Sequence, residues 1–504
     1  MREKINKVYL TGAGPGDPGL ITLKALKVLK LADAVVIDHL VNQKLLENIP
    51  DNSEIIFAGK FPGKHILTQD EINTCLVKLA KQGKTVVRLK GGDPFLFGRG
   101  AEEALFLAKH KIPFEIIPGV TSATAVPAYA GVPLTHRNYS SSVGIFTARQ
   151  AREKLSIPLH WENISVGLET LVFLMGVESL PGIVENLIRF GRPKSAPCCI
   201  IEEGTLPGQK TIASTLGNIL KEARIKKIKP PAIFVISDTV ALRKKINWYE
   251  NKTLFGKRIL VTSSLGSSTR LIQALEDEGA SCRALPLIRI KPLEDYSGLD
   301  SCIKQIGNFH WVIFTSRNAV KSFKQRMDYL KKDARWLNDV KIASIGPKTS
   351  EALKNLCLRV NIQPKEFCQE GLIRAFKKEE IKGKNILLLS SPESRKLLSK
   401  TLKRMGAYLK IVPAYRTSVI RYPSSVIRNF KDTDIIIFTS SSCVRNFFKL
   451  FPKAKRLLRR KGFHIASIGP VTSAQINRFG LRPDIKARHY TIEGIVEAII
   501  RFYR

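Results

Sequence analysis

The chain has 504 residues, 44% of them hydrophobic, with 82 Lys and Arg against 43 Asp and Glu and a formal net charge of +39. That length predicts roughly three to five domains, and the apolar fraction suits packed globular cores. No run of ~18 apolar residues is present to span a bilayer, and eight scattered cysteines with no C-x-x-C argue against a metal site or disulfide framework and for reduced thiols. The charge admits nucleic acid, a small polyanionic substrate steered by a positive field, or a merely basic source composition. Basic runs such as 221–229 and 453–461 read as solvated helix faces, so charge alone does not choose. The first residues reach a strand without a signal-peptide apolar region, which predicts a cytoplasmic protein.

In chain order, residues 8–10 predict a strand, 20–31 have helical spacing, and 34–37 predict a second strand ending at Asp38. Residues 72–81 predict a helix, 85–89 a strand, and 114–117 another that runs into Pro118-Gly119. Strand–helix alternation of this kind predicts a mostly parallel sheet with ligands at the strand carboxyl ends. A second α/β unit follows, with strands near 142–147, 170–175, 198–202 and 232–237; the polar stretch 247–256 marks a join.

Beyond the join the chain repeats itself. K-R-I-L from Lys257 recurs as K-N-I-L from Lys384, 127 residues later, and Gly279-Ala280 recurs as Gly406-Ala407 at the same offset. V-I-F-T-S-R-N-A-V from Val312 pairs with I-I-F-T-S-S-S-C-V from Ile436, 124 residues on, and I-A-S-I-G-P-K-T-S from Ile342 with I-A-S-I-G-P-V-T-S from Ile465, 123 on. Units this long are not solenoid repeats; they predict two copies of one α/β lobe. The order of the blocks predicts that the first segment joins the last and the middle forms the other lobe, with crossings near 288–292 and 415–419.

Two glycine-rich turns follow strands in the first half. In T-G-A-G-P-G-D-P (11–18), Gly12 and Gly14 fit the dinucleotide spacing, but Asp17 takes the third position and Pro15 interrupts the turn. A pyrophosphate needs free amides at a helix start. Pro15 lacks one and Asp17 repels phosphate, so the loop predicts a slot for an uncharged or cationic group. In G-G-D-P-F-L-F-G-R-G (91–100), two glycines permit backbone contact with a ligand, and Asp93 supplies an anion for a ribose hydroxyl or an ammonium group. Residues 118–137 are mostly small and can pack closely on something flat.

Taken together, G-A-G-P-G-D-P, V-V-R-L-K-G-G-D-P-F-L-F-G-R-G, P-G-V-T-S-A and G-V-P-L-T-H-R resemble uroporphyrinogen-III C-methyltransferase, over about residues 5–250 and onward through L-V-F-L-M-G (171–176) and I-E-E-G-T (201–205). The resemblance implies a two-lobed α/β fold (1–250, lobes about 1–118 and 119–250), S-adenosylmethionine as methyl donor, and a homodimer. By position it implies that Pro15, Gly91, Gly92, Asp93, Leu96, Thr121, Ser122, Met175, Gly204 and Ala232 line the cofactor site. Asp38 and Lys60 fall where the family places its proton acceptor and donor. Methyl transfer from a sulfonium needs positioning, and a proton must leave the attacked carbon. Arg88, Lys90, Arg99 and Arg137 are candidates for the substrate's carboxylates, which arginine binds bidentately. Two departures stand out: Ala148-Arg149 where the family has glycine-histidine, and Phe61 where an arginine follows the lysine.

The repeated half resembles uroporphyrinogen-III synthase over about 254–504, through F-T-S-R-N-A-V, S-I-G-P-K-T, V-P-A-Y-R-T, F-T-S-S-S-C-V and S-I-G-P-V-T. This implies two similar α/β lobes on a two-strand hinge, lobe one about 254–290 plus 417–504 and lobe two about 292–416. Tyr415 matches a tyrosine proposed to assist loss of the bilane hydroxyl. Thr315, Ser316, Thr349, Thr439, Ser440 and Thr472 would offer hydroxyls and amides to propionates and acetates, although Ser and Thr at helix starts are also ordinary N-caps. The two resemblances imply consecutive steps: closure of hydroxymethylbilane, then two methylations giving precorrin-2, toward sirohaem or cobalamin. An RNA methyltransferase of related fold and an inactive tetrapyrrole-binding regulator stay open as alternatives; membrane, metal and nucleic acid are not expected partners.

Overall fold

The computed structural model describes residues 7–59, 67–148, 159–264, 266, 268–422, 430, 432–460 and 462–504. The chain divides into two compact units: Met1–Arg258 with Ala274–Cys282 and Tyr503–Arg504, and Ile259–Gln273 with Arg283–Phe502.

In the first unit, β1 (Val8–Gly12), β2 (Ala34–Ile37), β3 (Glu54–Phe57), β4 (Val86–Lys90) and β5 (Phe114–Ile117) form a sheet in the order β3-β2-β4-β1-β5. Its pairings are parallel. β1, β2 and β4 are buried along their whole length; β1 and β2 accordingly read as mostly apolar runs rather than alternations, whereas β4 buries Arg88 and Lys90 among its apolar residues. β3 escapes the sequence reading because it is a short edge strand, exposed or half-buried throughout. The helix Gln69–Lys81 starts on a capping box between Thr68 and Glu71 and buries Ile72, Leu76, Leu79 and Ala80, the stripe of a helix facing a core. Parallel strands place their carboxyl ends on one edge, so the turns after β1, β2, β4 and β5 converge there.

A second sheet contains β6 (Val143–Thr147), β7 (Thr170–Leu174), β8 (Pro197–Glu202), β9 (Lys210–Thr215) and β10 (Ala232–Ile236), in the order β6-β7-β10-β8-β9. β6 and β7 pair parallel; the other three pairings are antiparallel. β9 carries one fully buried side chain, Ile212, too weak an alternation to read from sequence.

The repeated half contributes β11 (Arg258–Ser264), β12 (Ser281–Lys291), β13 (Trp311–Phe314), β14 (Lys341–Ser344), β15 (Asn385–Ser390), β16 (Tyr408–Pro413), β17 (Arg416–Val419), β18 (Ile435–Phe438), β19 (His464–Ser467) and β20 (Ile485–Lys486). One sheet runs β17-β12-β11-β18-β19-β20 and the other β14-β13-β15-β16. The first and last segments thus share a sheet, and the middle segment makes the other. The crossing segments pair antiparallel, from Ile288 opposite Val419 to Lys291 opposite Arg416, as a two-strand hinge.

The repeat holds to the level of single hydrogen bonds. Thr315 Oγ1 donates to Leu389 O at 2.9 Å, and Thr439 Oγ1 to Thr262 O at 2.7 Å. Ser316 Oγ accepts from Ala319 N at 3.1 Å, and Ser440 Oγ from Cys443 N at 3.2 Å. Ser344 and Ser350 hydroxyls meet at 2.6 Å, as do those of Ser467 and Ser473. No helix among the described residues is long and apolar enough to cross a membrane.

Candidate active sites

At the carboxyl edge of the first sheet, three glycine-bearing turns interlock. Ala13 N donates to Lys90 O at 2.8 Å, Gly14 N to Gly92 O at 3.2 Å, and Gly92 N to Gly14 O at 2.8 Å. A Cβ on Gly12 would lie 2.5 Å from Gly119 Cα, and one on Gly119 would lie 2.3 Å from Gly92 O. No side chain fits there, so backbone is presented bare. Asp93, expected to offer its charge to a ligand, first fastens this cradle: Oδ1 accepts from Phe95 N at 2.8 Å and Oδ2 from Gly119 N at 2.9 Å.

Asp17 has a similar structural task. Its Oδ2 accepts from the Tyr129 hydroxyl at 2.7 Å, and its own amide donates to Thr205 Oγ1 at 3.0 Å. These bonds tie the turn containing Pro15 to the helix Ser122–Tyr129 and to the turn after β8. Burial, then the hydrogen bond to Asp17, raises the Tyr129 phenol well above its ordinary range, so it remains a donor.

The remaining expected cofactor positions lie near this edge or on the second sheet. Thr121 caps the helix Ser122–Tyr129, its Oγ1 accepting from Ala123 N at 3.3 Å, and a Cβ on Gly92 would come within 3.8 Å of Ser122 N. Leu96 packs on the cluster containing Ala123 and Val126. A Cβ on Gly204 would be 2.3 Å from Val126 Cγ1, so this turn too is closed against a side chain. Met175, at the end of β7, is 48% exposed and has φ of +56°, a left-handed conformation that a bulky residue adopts only at a cost and that recurs at ligand sites. Ala232 is buried at the start of β10 and, with Gly176, lines a cavity of about 270 Å³.

Beside the cradle lies a charged cluster. Arg88 and Lys90 are 2% exposed and Glu103 is fully buried. Arg88 Nη2 donates to Asp38 Oδ1 at 2.5 Å and its Nε to Glu103 Oε1 at 3.1 Å. Lys90 Nζ donates to Glu103 Oε1 at 2.7 Å and lies 3.9 Å from Asp38 Oδ2. Burial opposes the Arg88 charge, but Asp38 and Glu103 more than restore it and hold the guanidinium above its ordinary range. Burial and then Arg88 push Lys90 down, against the pull of the two carboxylates. Expected as partners for substrate carboxylates, Arg88 and Lys90 are instead enclosed and engaged in orienting Asp38, whose side chain is 32% exposed. Glu103 was missed. The signal was the pair Glu102-Glu103 in the first turn of the helix Gly100–Lys109, where adjacent residues must point apart.

Arg99 lies outside this cluster, exposed and forked onto Glu102 at 3.0 and 2.6 Å; Arg137 is exposed. Lys60, Phe61 and Arg149 lie outside the described residues.

In the repeated half, Tyr415 is 9% exposed and packs into the core of the β14-β13-β15-β16 lobe. Its hydroxyl accepts from Ser316 Oγ at 3.1 Å. Of the hydroxyls expected to bind carboxylates, those of Thr315 and Thr439 donate to strand carbonyls, and those of Ser316 and Ser440 cap helices. Thr349 and Thr472 are 4% exposed in the first turns of equivalent helices. The first four hold the strand-to-helix turns together through their hydroxyls.

Comparison with known proteins covers both halves. Residues 7–220 match the family of Tetrapyrrole (Corrin/Porphyrin) Methylases, and residues 269–497 match Uroporphyrinogen-III synthase HemD. The porphyrin biosynthesis protein HemD of Ruminiclostridium josui is 35% identical over 98% of this chain and 97% of its own length. The uroporphyrinogen-III C-methyltransferase of Bacillus subtilis is 40% identical over 71% of this chain and 73% of its own. An S-adenosyl-L-methionine-dependent uroporphyrinogen III methyltransferase of Methanosarcina barkeri is 46% identical over 48% of this chain and 95% of its own.

Proposed function

The chain belongs to the family that joins a tetrapyrrole methylase to a uroporphyrinogen-III synthase, and on that premise we propose that it carries out both steps in sequence. The C-terminal half closes hydroxymethylbilane to uroporphyrinogen III with inversion of the last ring and release of one water. The N-terminal half then methylates that product twice, giving precorrin-2, with S-adenosylmethionine converted to S-adenosylhomocysteine and one proton released at each transfer. The uroporphyrinogen-III methyltransferases among the chain's relatives support the methylation step, and the match of residues 269–497 to uroporphyrinogen-III synthase supports the closure step.

The residues present fit S-adenosylmethionine. The cradle is closed to side chains at Gly12, Gly119 and Gly204, and the expected contact positions include the Asp93 carboxylate and no cation, the sign a sulfonium needs. Pro15, Gly91, Gly92, Thr121, Ser122, Met175 and Ala232 would hold it, and it supplies an electrophilic methyl group there. Asp38 takes the proton from the attacked carbon. Arg88 keeps that carboxylate oriented, Glu103 fixes Arg88, and Lys90 in turn donates to Glu103.

One observation carries the methylase assignment: a half-exposed carboxylate, Asp38, held at 2.5 Å by an enclosed arginine beside the glycine cradle. Supplying uroporphyrinogen III with S-adenosylmethionine labelled in its methyl group tests it. Two labelled methyls per macrocycle are expected; label found in RNA and absent from the macrocycle would support an RNA methyltransferase instead.

A further inference from the structure

Four of the six hydroxyls first expected to grip the synthase substrate, those of Thr315, Ser316, Thr439 and Ser440, are engaged in the fold, and hydroxyls carry no charge, so its carboxylates still need cationic partners. A cavity of about 360 Å³ opens at the carboxyl ends of β13, β15 and β16. Leu388 and Ile411 give it an apolar wall, Ser391 part of its floor, and Lys396, Lys400 and Lys403 a basic rim. Ile411 is 46% exposed. Arg395, also at the rim, is already forked onto Glu370 at 2.8 and 3.1 Å. The three lysines enter no ion pair among the described residues. They sit four and three residues apart along the helix Leu397–Arg404 and its cap, the spacing at which like charges repel on one helix face.

The internal repeat supplies a control. At the 127-residue offset, Lys396, Lys400 and Lys403 fall on Thr269, Gln273 and Glu276. The first copy forms its helix, Thr269–Asp277, after the equivalent strand with no lysine at any of these positions. The lysines are therefore not a requirement of the fold; they are a charge added to one copy and reversed at one position in the other.

We propose that this cavity holds one pyrrole ring of the linear tetrapyrrole substrate, with its acetate and propionate on Lys396, Lys400 and Lys403 and its ring face on Leu388 and Ile411. This rests on the synthase reading above and adds to it a specific subsite. A cavity with an apolar wall and a rim of unpaired cations suits a flat ring with short anionic arms, because cations at a concave rim attract carboxylates while the wall excludes water from the ring.

The test is K396Q/K400Q in the full chain, assayed separately for hydroxymethylbilane cyclisation and for methylation of supplied uroporphyrinogen III. The synthase KM should rise roughly three- to twentyfold, as expected for two exposed ion pairs, with kcat and methylation unchanged. K396R/K400R, which keeps the charge, should retain the wild-type KM, and the wild-type KM should rise more steeply with salt than that of K396Q/K400Q. A wild-type KM in K396Q/K400Q, or an equal loss in K396R/K400R, overturns the subsite. Failure of the wild-type chain itself to convert hydroxymethylbilane would instead overturn the synthase reading.

Discussion

Replacing Glu103 with Gln removes a fully buried carboxylate whose Oε1 accepts from Gln69, Arg88 and Lys90 at 3.1, 3.1 and 2.7 Å. Asp38, partly in water, is then the remaining carboxylate partner of two enclosed cations. Removing one member of a buried ion cluster costs about 3–5 kcal/mol. The amide oxygen keeps one acceptor in place, so we expect the lower end, about 3 kcal/mol, or ~6–12 °C for a unit of this size. The cost should depend on pH. Lys90 already titrates below its ordinary 10.5, because of burial first and Arg88 second. Losing Glu103 removes one of the two pulls that hold its proton, so its folded value falls further. Between that lowered value and 10.5 the unfolded chain binds more protons than the folded one, so stability rises with pH across that window. The variant enters the window earlier, and its deficit shrinks as the solution becomes alkaline. Hydrogen exchange followed in peptides spanning residues 84–109, with thermal melts near neutrality and in the alkaline range, reads both effects. Glu102→Gln is the control, since its pair with Arg99 is exposed and worth about 0–1 kcal/mol. A Glu103→Gln protein as stable as wild type, or a deficit that grows with pH, would refute the proposed role of this cluster.

Further expectations concern both halves. Asp38→Asn should lower methyl transfer by roughly 10²–10⁴-fold, the usual worth of a positioned proton acceptor, while calorimetric affinity for S-adenosylhomocysteine stays near wild type; a collapse of that affinity would make Asp38 a ligand-holding residue. Gly204→Ala drives a methyl group to 2.3 Å from Val126 Cγ1 and should abolish S-adenosylhomocysteine binding while synthase turnover persists, so intact binding would show that the turn yields. Tyr415→Phe breaks the bond from Ser316 at 3.1 Å, worth about 1 kcal/mol of stability, and should slow cyclisation without touching methylation of supplied uroporphyrinogen III. An unchanged cyclisation rate would leave Tyr415 a packing residue. Sedimentation of the full chain tests the homodimer, which a concentration-independent monomer would exclude.

The middle strands of the two sheets in the first half were legible because burial leaves mostly apolar runs, as in Ala34-Val35-Val36-Ile37. The edge strands Glu54–Phe57 and Lys210–Thr215 were not, since between them they bury a single side chain, Ile212. The two lobes of the synthase half were legible because the repeat recurs at fixed offsets, and its threonine and serine hydrogen bonds prove equivalent in both copies. The glycine turns could be read as open to backbone contact from Gly91 and Gly92, and as unsuited to a pyrophosphate from Pro15 and Asp17. What sequence could not give was the direction of a charged side chain. Arg88 alternates with apolar neighbours in a strand, and only the packed sheet shows it facing Glu103 and Asp38 rather than solvent. Lys396, Lys400 and Lys403 passed unremarked in a chain with 82 basic residues; the cavity beside them distinguishes them from solvated lysines.

The most direct test of the account as a whole is to give the full-length chain hydroxymethylbilane and methyl-labelled S-adenosylmethionine together, under reducing conditions. The products are then followed by absorbance and by mass. The account predicts a type III macrocycle carrying two labelled methyl groups, with the precorrin-2 chromophore appearing and no need for a second protein. Accumulation of unlabelled uroporphyrinogen I, the product of closure without ring inversion, would contradict it.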